Sequence, residues 1–83
     1  MTRILVIGGS QGIGLAVCRT AVAAGHRVRA MSRRGRLPVD LRADCEAFSG
    51  DARNADDVAR ALEGIDVVVQ ALRGDGFDVS SFR

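Results

Sequence analysis

Ile4-Leu5-Val6-Ile7-Gly8-Gly9-Ser10-Gln11-Gly12-Ile13-Gly14 decides how the rest of this 83-residue chain is read. Four apolar β-formers run directly into a glycine-rich turn, and an apolar helical pattern begins with no linker between. A strand that is apolar throughout is buried on both faces, as happens in a parallel sheet covered on each side. Glycines at its exit let the backbone approach an anion at the start of the next helix, where unpaired N–H groups point outward. The stretch reads as a phosphate cradle.

Outward from it, residues 3–7 form the first strand and a helix runs from Gly12 to about Ala24. Ile13, Ala16, Val17, Thr20, Ala21 and Ala24 follow the i, i+3, i+4 rule, and this predicts the packed face. Gly25 suits the C-terminal cap. Arg27–Met31 is a second strand. Ser32 to Asp44 is an Arg-rich connection around Pro38 with room for one helical turn. Cys45–Ser49 reads as a short third strand. Asn54 is an N-cap with Asp56 and Asp57 in the first turn, and Val58, Ala61 and Leu62 make the stripe of a second helix that Gly64 ends. Ile65–Gln70 is a fourth strand, and residues 71–83 show no clear period. Strands alternating with helices predict a parallel sheet with right-handed crossovers. The fold class is therefore α/β: a Rossmann-like sheet of four strands in the order 3-2-1-4 with helices on both faces, one part of a doubly wound fold. Residues 1–74 would form the binding half-domain and 75–83 a tail. The outer edge of strand 4 needs a cover: the tail, another copy in a homo-oligomer, or a C-terminal half beyond this sequence.

Composition narrows the function classes. The net charge is +2, and all twelve basic residues are arginine, six of them between Arg27 and Arg42. Cys18 and Cys45 have neither metal spacing nor a dense disulfide pattern, and are read as small buried apolar residues of a reducing compartment. The first strand follows the N-terminus with no signal-peptide core. No apolar run approaches the roughly 18 residues of a membrane span. The expectation is a cytoplasmic protein with no membrane partner and no metal.

In parallel α/β sheets, ligands bind outside the carboxyl ends of the strands. The chemistry-bearing segments all follow strands: Gly8–Gly14 after the first, Ser32-Arg33-Arg34 after the second, Asp51-Ala52 after the third and Gln70–Gly74 after the fourth. A glycine turn can also be only a tight strand–helix junction; its place after a buried strand and before a helix argues for a ligand.

The stretch Ile7-Gly8-Gly9-Ser10-Gln11-Gly12-Ile13-Gly14 resembles the cofactor loop of the short-chain dehydrogenase/reductase superfamily. Gly25-His26-Arg27-Val28, Met31-Ser32-Arg33, Gly50-Asp51-Ala52 and Ala61–Val68 resemble its atypical branch, NmrA-like and epimerase-like. The glycines are spaced G-x-x-x-G-x-G, as in the commoner dehydrogenases, whereas the rest of residues 3–74 is of the atypical type. The resemblance implies an NAD(P)-binding module. In it Gly8, Gly12 and Gly14 make room for the pyrophosphate, Gly9 belongs to the same cofactor-binding loop, and the backbone around Ile13 donates to the pyrophosphate. Ser10 and Gln11 reach the adenosine ribose or its phosphate. Asp51 holds the adenine amino group, with Ala52 beside it, and Ala71 and Leu72 line the path toward the nicotinamide.

NAD recognition asks for an acid about 20 residues on, which accepts from the ribose hydroxyls. After Gly14 no Asp or Glu occurs before Asp40. Ser32, Arg33 and Arg34 stand there instead, a hydroxyl and two guanidinium groups that fork onto a phosphate. NADP(H) is therefore expected over NAD(H). A solvated arginine cluster on a loop is the plainer reading of the same residues.

Catalysis in the superfamily generally uses a Tyr-x-x-x-Lys pair and a serine further along. The chain has no Tyr and no Lys, so it would hold a cofactor without catalysing alone, and no catalytic residue is assigned. His26 lies at the opposite, amino-terminal edge and reads as a turn residue. Two other functions stay open: a non-catalytic redox sensor or oligomerising module of the NmrA-like kind, and nucleic-acid binding through the Arg27–Arg42 patch. Against the last stand the small net charge and only three phenylalanines for stacking.

Overall fold

The computed structural model describes residues 2–8, 12–71 and 78–81. Among them, β1 (Arg3–Ile7), β2 (Arg27–Ser32), β3 (Cys45–Ser49), β4 (Val67–Gln70) and β5 (Asp78–Ser81) form one sheet in the order β3-β2-β1-β4-β5. The first four are parallel, in the expected order 3-2-1-4, and β5 pairs antiparallel with β4. Residues 78–81, which lack an apolar run, thus form a strand that covers the outer edge of β4, a part the sequence reading left as tail.

The sheet has a core on each face. Leu5 and Val6 are adjacent in β1, point to opposite faces, and are both fully buried. Val6 packs with Val28, Ala30, Cys45 and Val69 beneath helix α1 (Gly12–Ala23), which contributes Cys18 and Ala21. Leu5 and Ile7 pack with Met31 and Val68 beneath α2 (Ala55–Ala61) and the turn after it, which supply Ala61 and Ile65. Burial on both faces explains why β1 and β4 lack the alternation of a half-solvated strand.

The packed face of α1 differs from the expected one. Gly14, Cys18 and Ala21 are buried, with Leu15, Val17 and Val22 partly buried against the same core. Ile13, Ala16, Thr20 and Ala24 are exposed. The helix is apolar on most of its circumference, so several i, i+3, i+4 stripes fit its sequence and tertiary packing chooses among them. Its C-terminus closes as a Schellman motif: His26 N–H donates to the Ala21 carbonyl (3.1 Å) and Gly25 N–H to that of Val22 (3.0 Å). His26 is thereby left at the amino-terminal edge of β2, as expected.

The β2–β3 connection passes on the α1 side with only one 3-10 turn, Val39–Leu41. Leu37 and Leu41 are buried in the α1-side core, and the Arg19 guanidinium of α1 pairs with Asp40. Two leucines and one ion pair do the covering that a crossover helix would otherwise do. Cys45, the first residue of β3, lies against Cys18 of α1; both thiols are buried and reduced. Cys18 donates a hydrogen bond to Cys45, and that bond together with burial pushes the Cys18 thiol far up.

Candidate functional site

The carboxyl ends of the parallel strands are stitched to one another just past the regular ladder. Gly50 N–H donates to the Ser32 carbonyl (2.9 Å), Gly8 N–H to that of Met31 (2.8 Å) and Ala71 N–H to that of Ile7 (2.8 Å). Gly8, Ser32, Gly50 and Ala71, at the ends of β1 to β4, are therefore held in fixed register along one rim. On it opens a cleft of about 940 Å³ lined by Gly8, Ser32, Arg33, Arg34, Asp51 and Ala52, six of the residues singled out in the sequence.

At the β1 exit the backbone turns at Gly8 (φ 85°) and re-enters regular structure at Gly12 (φ 61°), the first residue of α1. At that angle an L side chain is strained, and a Cβ at Gly12 would have nothing within 4 Å, so the backbone there borders open space. The first turn of α1 carries no acidic residue. Its outward N–H groups and the positive end of its dipole are thus not neutralised from within the helix. Gly14 is buried and Ile13 is exposed. Gly9, Ser10, Gln11 and Leu72 lie outside the described residues. Ala71 is partly buried against the α1-side core.

The β2 exit carries the arginines. Ser32 Oγ accepts the N–H of Gly35 (3.0 Å), and the Arg33 carbonyl accepts from Ser49 Oγ (3.0 Å). Arg33 and Arg34 are exposed at the cleft mouth. Across the cleft, the loop before α2 is held by its own polar groups. Asp51 Oδ1 accepts the backbone N–H of Arg53 (2.8 Å), and Asp51 N–H donates to Asp57 Oδ2 (2.9 Å). Asn54 Oδ1 accepts from Asp56 and Asp57, as an N-cap does. The Arg53 backbone N–H, then its side chain, hold the Asp51 carboxyl below the usual carboxylate range, and Arg33 adds to the effect through space.

The cleft has further walls that sequence reasoning did not assign: Arg36, Leu37, Pro38 and Arg53, with Ile7, Met31 and Gly50 at its floor. Arg36 belongs to the arginine run already noted and Arg53 stands two residues past Asp51, so proximity to the motifs was the available signal. Leu37 and Pro38 gave none, because their place depends on how the connection folds over α1. Among the described residues no group of His, Cys, Asp or Glu could hold a metal ion, and no helix is long and apolar enough to cross a membrane.

A family model described as NAD(P)H-binding matches residues 8–81. The chain belongs to the NAD(P)H-binding family. It is also similar to a 3-beta-hydroxysteroid dehydrogenase of Mycolicibacterium neoaurum, with 38% identity over 68 residues that make up 80% of this chain and 18% of that enzyme. Among solved structures it is similar to the TT0495 protein of Thermus thermophilus, with a TM-score of 0.70 and 34% identity over 90% of this chain and 35% of that one. This NAD(P)H-binding chain thus spans under a fifth of the dehydrogenase and about a third of the solved relative. A nicotinamide dinucleotide fits what the rim presents: an open, glycine-lined helix start on one side and guanidinium groups on the other.

Proposed function

We propose that the chain binds NADP(H) in preference to NAD(H), as the cofactor-holding part of a short-chain-type oxidoreductase or epimerase relative. The observation that carries the preference is the β2 exit, where Ser32, Arg33 and Arg34 border the cleft in the place an NAD-selecting acid would take. A 2′-phosphate there meets a hydroxyl and guanidinium forks, whereas a carboxylate would repel it. The glycine loop from Gly8 to Gly14 takes the pyrophosphate. Asp51 spends Oδ1 on the Arg53 backbone and offers its other oxygen to the adenine amino group, with Ala52 beside the ring. Ala71 and Leu72 lead toward the nicotinamide. When bound, the cofactor carries the hydride; these residues hold and orient it. The chain has no Tyr and no Lys, so the proton donor of a carbonyl reduction must come from other residues. A reducing, cytoplasmic setting accords with the two buried thiols.

Titration of the full chain with NADPH and NADH tests this reading. NADPH is expected to bind more tightly, and Arg33→Asp is expected to reverse the order. Equal affinities in the wild type would remove the role given to the arginines.

A further inference from the structure

Ser32 and Ser49 are register partners at the carboxyl ends of β2 and β3, and both commit their side chains to the same three-residue loop. Ser32 Oγ accepts the N–H of Gly35 at 3.0 Å, and Ser49 Oγ donates to the carbonyl of Arg33 at 3.0 Å. Gly35 lies directly on β3. Its φ is +60°, and a Cβ there would stand 2.9 Å from Ser49 Cβ and 3.2 Å from the Ser49 Cα and N. Two of those three atoms are backbone of a paired strand and cannot step aside. The loop is therefore pressed against the end of β3 and fastened at the Arg33 carbonyl and the Gly35 N–H, with Arg34 between the two. Gly35 and Ser49 do not themselves line the cleft, although Ser32, Arg33, Arg34 and Arg36 do.

We infer that Gly35 and Ser49 are positioning residues for phosphate selectivity: they form a clasp that fixes the backbone from which Arg33 and Arg34 reach the 2′-phosphate of NADP(H). The inference rests on the proposed NADP(H) reading. A guanidinium fork matches a phosphate only from a fixed origin, and a loop ordered in advance does not lose that freedom on binding. Ser32, used as an acceptor by Gly35, keeps its O–H for the ligand. Ser49 is the member no cofactor motif would reveal, since it lies on β3 and faces the loop.

The test is a set of titrations of the full chain with NADPH, NADH and adenosine 2′,5′-bisphosphate, each with a thermal melt. Ser49→Ala is expected to lower the NADPH-to-NADH affinity ratio by roughly 3–10-fold, the effect of one lost hydrogen bond, with NADH affinity unchanged. Adenosine 2′,5′-bisphosphate should weaken in parallel with NADPH. Ser49→Thr, which keeps the hydroxyl, should restore the ratio. Gly35→Ala should lower it further; if that variant does not fold, the Ser49 pair carries the test alone. A wild-type preference for NADPH that survives Ser49→Ala would overturn the clasp and leave the NADP(H) reading standing. Equal loss of NADPH and NADH would also overturn it, because that is general loosening of the site. Equal wild-type affinities would overturn the NADP(H) reading and the clasp with it.

Discussion

Arg29 and Glu46 are register partners on β2 and β3, and their side chains meet at 3.0 Å between Nε and Oε1. The same guanidinium turns its Nη1 to the carbonyls of Ala61 (2.7 Å) and Glu63 (3.0 Å), at the end of α2 and just beyond it. One side chain thus closes an edge strand and donates to the orphan carbonyls of a helix terminus, where a cation is favoured. Arg29→Ala is expected to lower stability by about 1.5–3 kcal/mol in urea denaturation, the range for hydrogen bonds to a charged group. Arg29→Lys should recover under half of that, since an ammonium cannot serve both directions. Glu46→Ala should cost less than about 0.5 kcal/mol because its carboxylate is largely solvated.

Asn54 decides where α2 begins. Its Oδ1 receives the amides of Asp56 (2.9 Å) and Asp57 (3.1 Å), and Asp57 in turn receives the amide of Asp51. Asn54→Ala should therefore cost about 1 kcal/mol in stability and also weaken cofactor binding, since the Asp51 loop loses the residue that orients it. Asn54→Asp, which keeps the acceptor, should restore both in paired melts and titrations.

Asp51 gives the site a dependence on acid. Its carboxyl is held below the ordinary value, chiefly by the Arg53 backbone N–H. A group whose folded pKa is depressed contributes fully above its unfolded pKa of about 3.9, and the contribution is lost as pH falls through the lower folded value. The loop, and with it the adenine contact proposed for Asp51, should hold down to that region and loosen below it. Arg53→Ala should move the carbon-13 titration of the Asp51 carboxyl only part of the way back, because the main-chain donor remains. A complete return would show the side chain to be the larger cause.

Cys18 should not behave as a reactive thiol. It is fully buried and its proton is engaged with Cys45, so the nucleophilic thiolate is scarce. An aromatic disulfide reagent is expected to modify neither cysteine in the native chain, to modify both at once in urea, and to gain little native reactivity when pH rises from 7 to 9. Rapid native labelling would contradict the packing of α1 on β3.

The parts of the fold that were legible in the sequence are those fixed by local chemistry. Ile4–Ile7 and Val67–Val69 read as strands because burial on both faces requires unbroken apolar runs, and Asn54 read as a cap because its offset to Asp56 and Asp57 is the cap itself. The face of α1 was not legible, since Ile13, Leu15, Val17 and Cys18 all suit an interior and only the sheet beneath selects among them. Nor was β5: Asp78-Val79-Ser80-Ser81 has no apolar signature, and strand pairing rests on backbone groups that every residue carries. At the candidate site, the segments after each strand could be placed because strand ends in a parallel sheet converge. Arg36 and Arg53 were missed as walls, and Ser49 as a fastening, because each depends on how one loop lies on another.

β5 pairs antiparallel along Val67–Gln70, and this bears on how the sheet could grow. A parallel strand added beside β4, in the position that follows it in a doubly wound sheet, would need the same backbone donors and acceptors that Asp78–Ser81 now occupies. Extension on that side is therefore an exchange of one strand for another. Its free energy is the difference between two ladders, and only four residue pairs have to be given up. The opposite edge, β3, carries no such occupant among the described residues and would grow by simple addition. The two borders of one small sheet thus obey different rules of assembly.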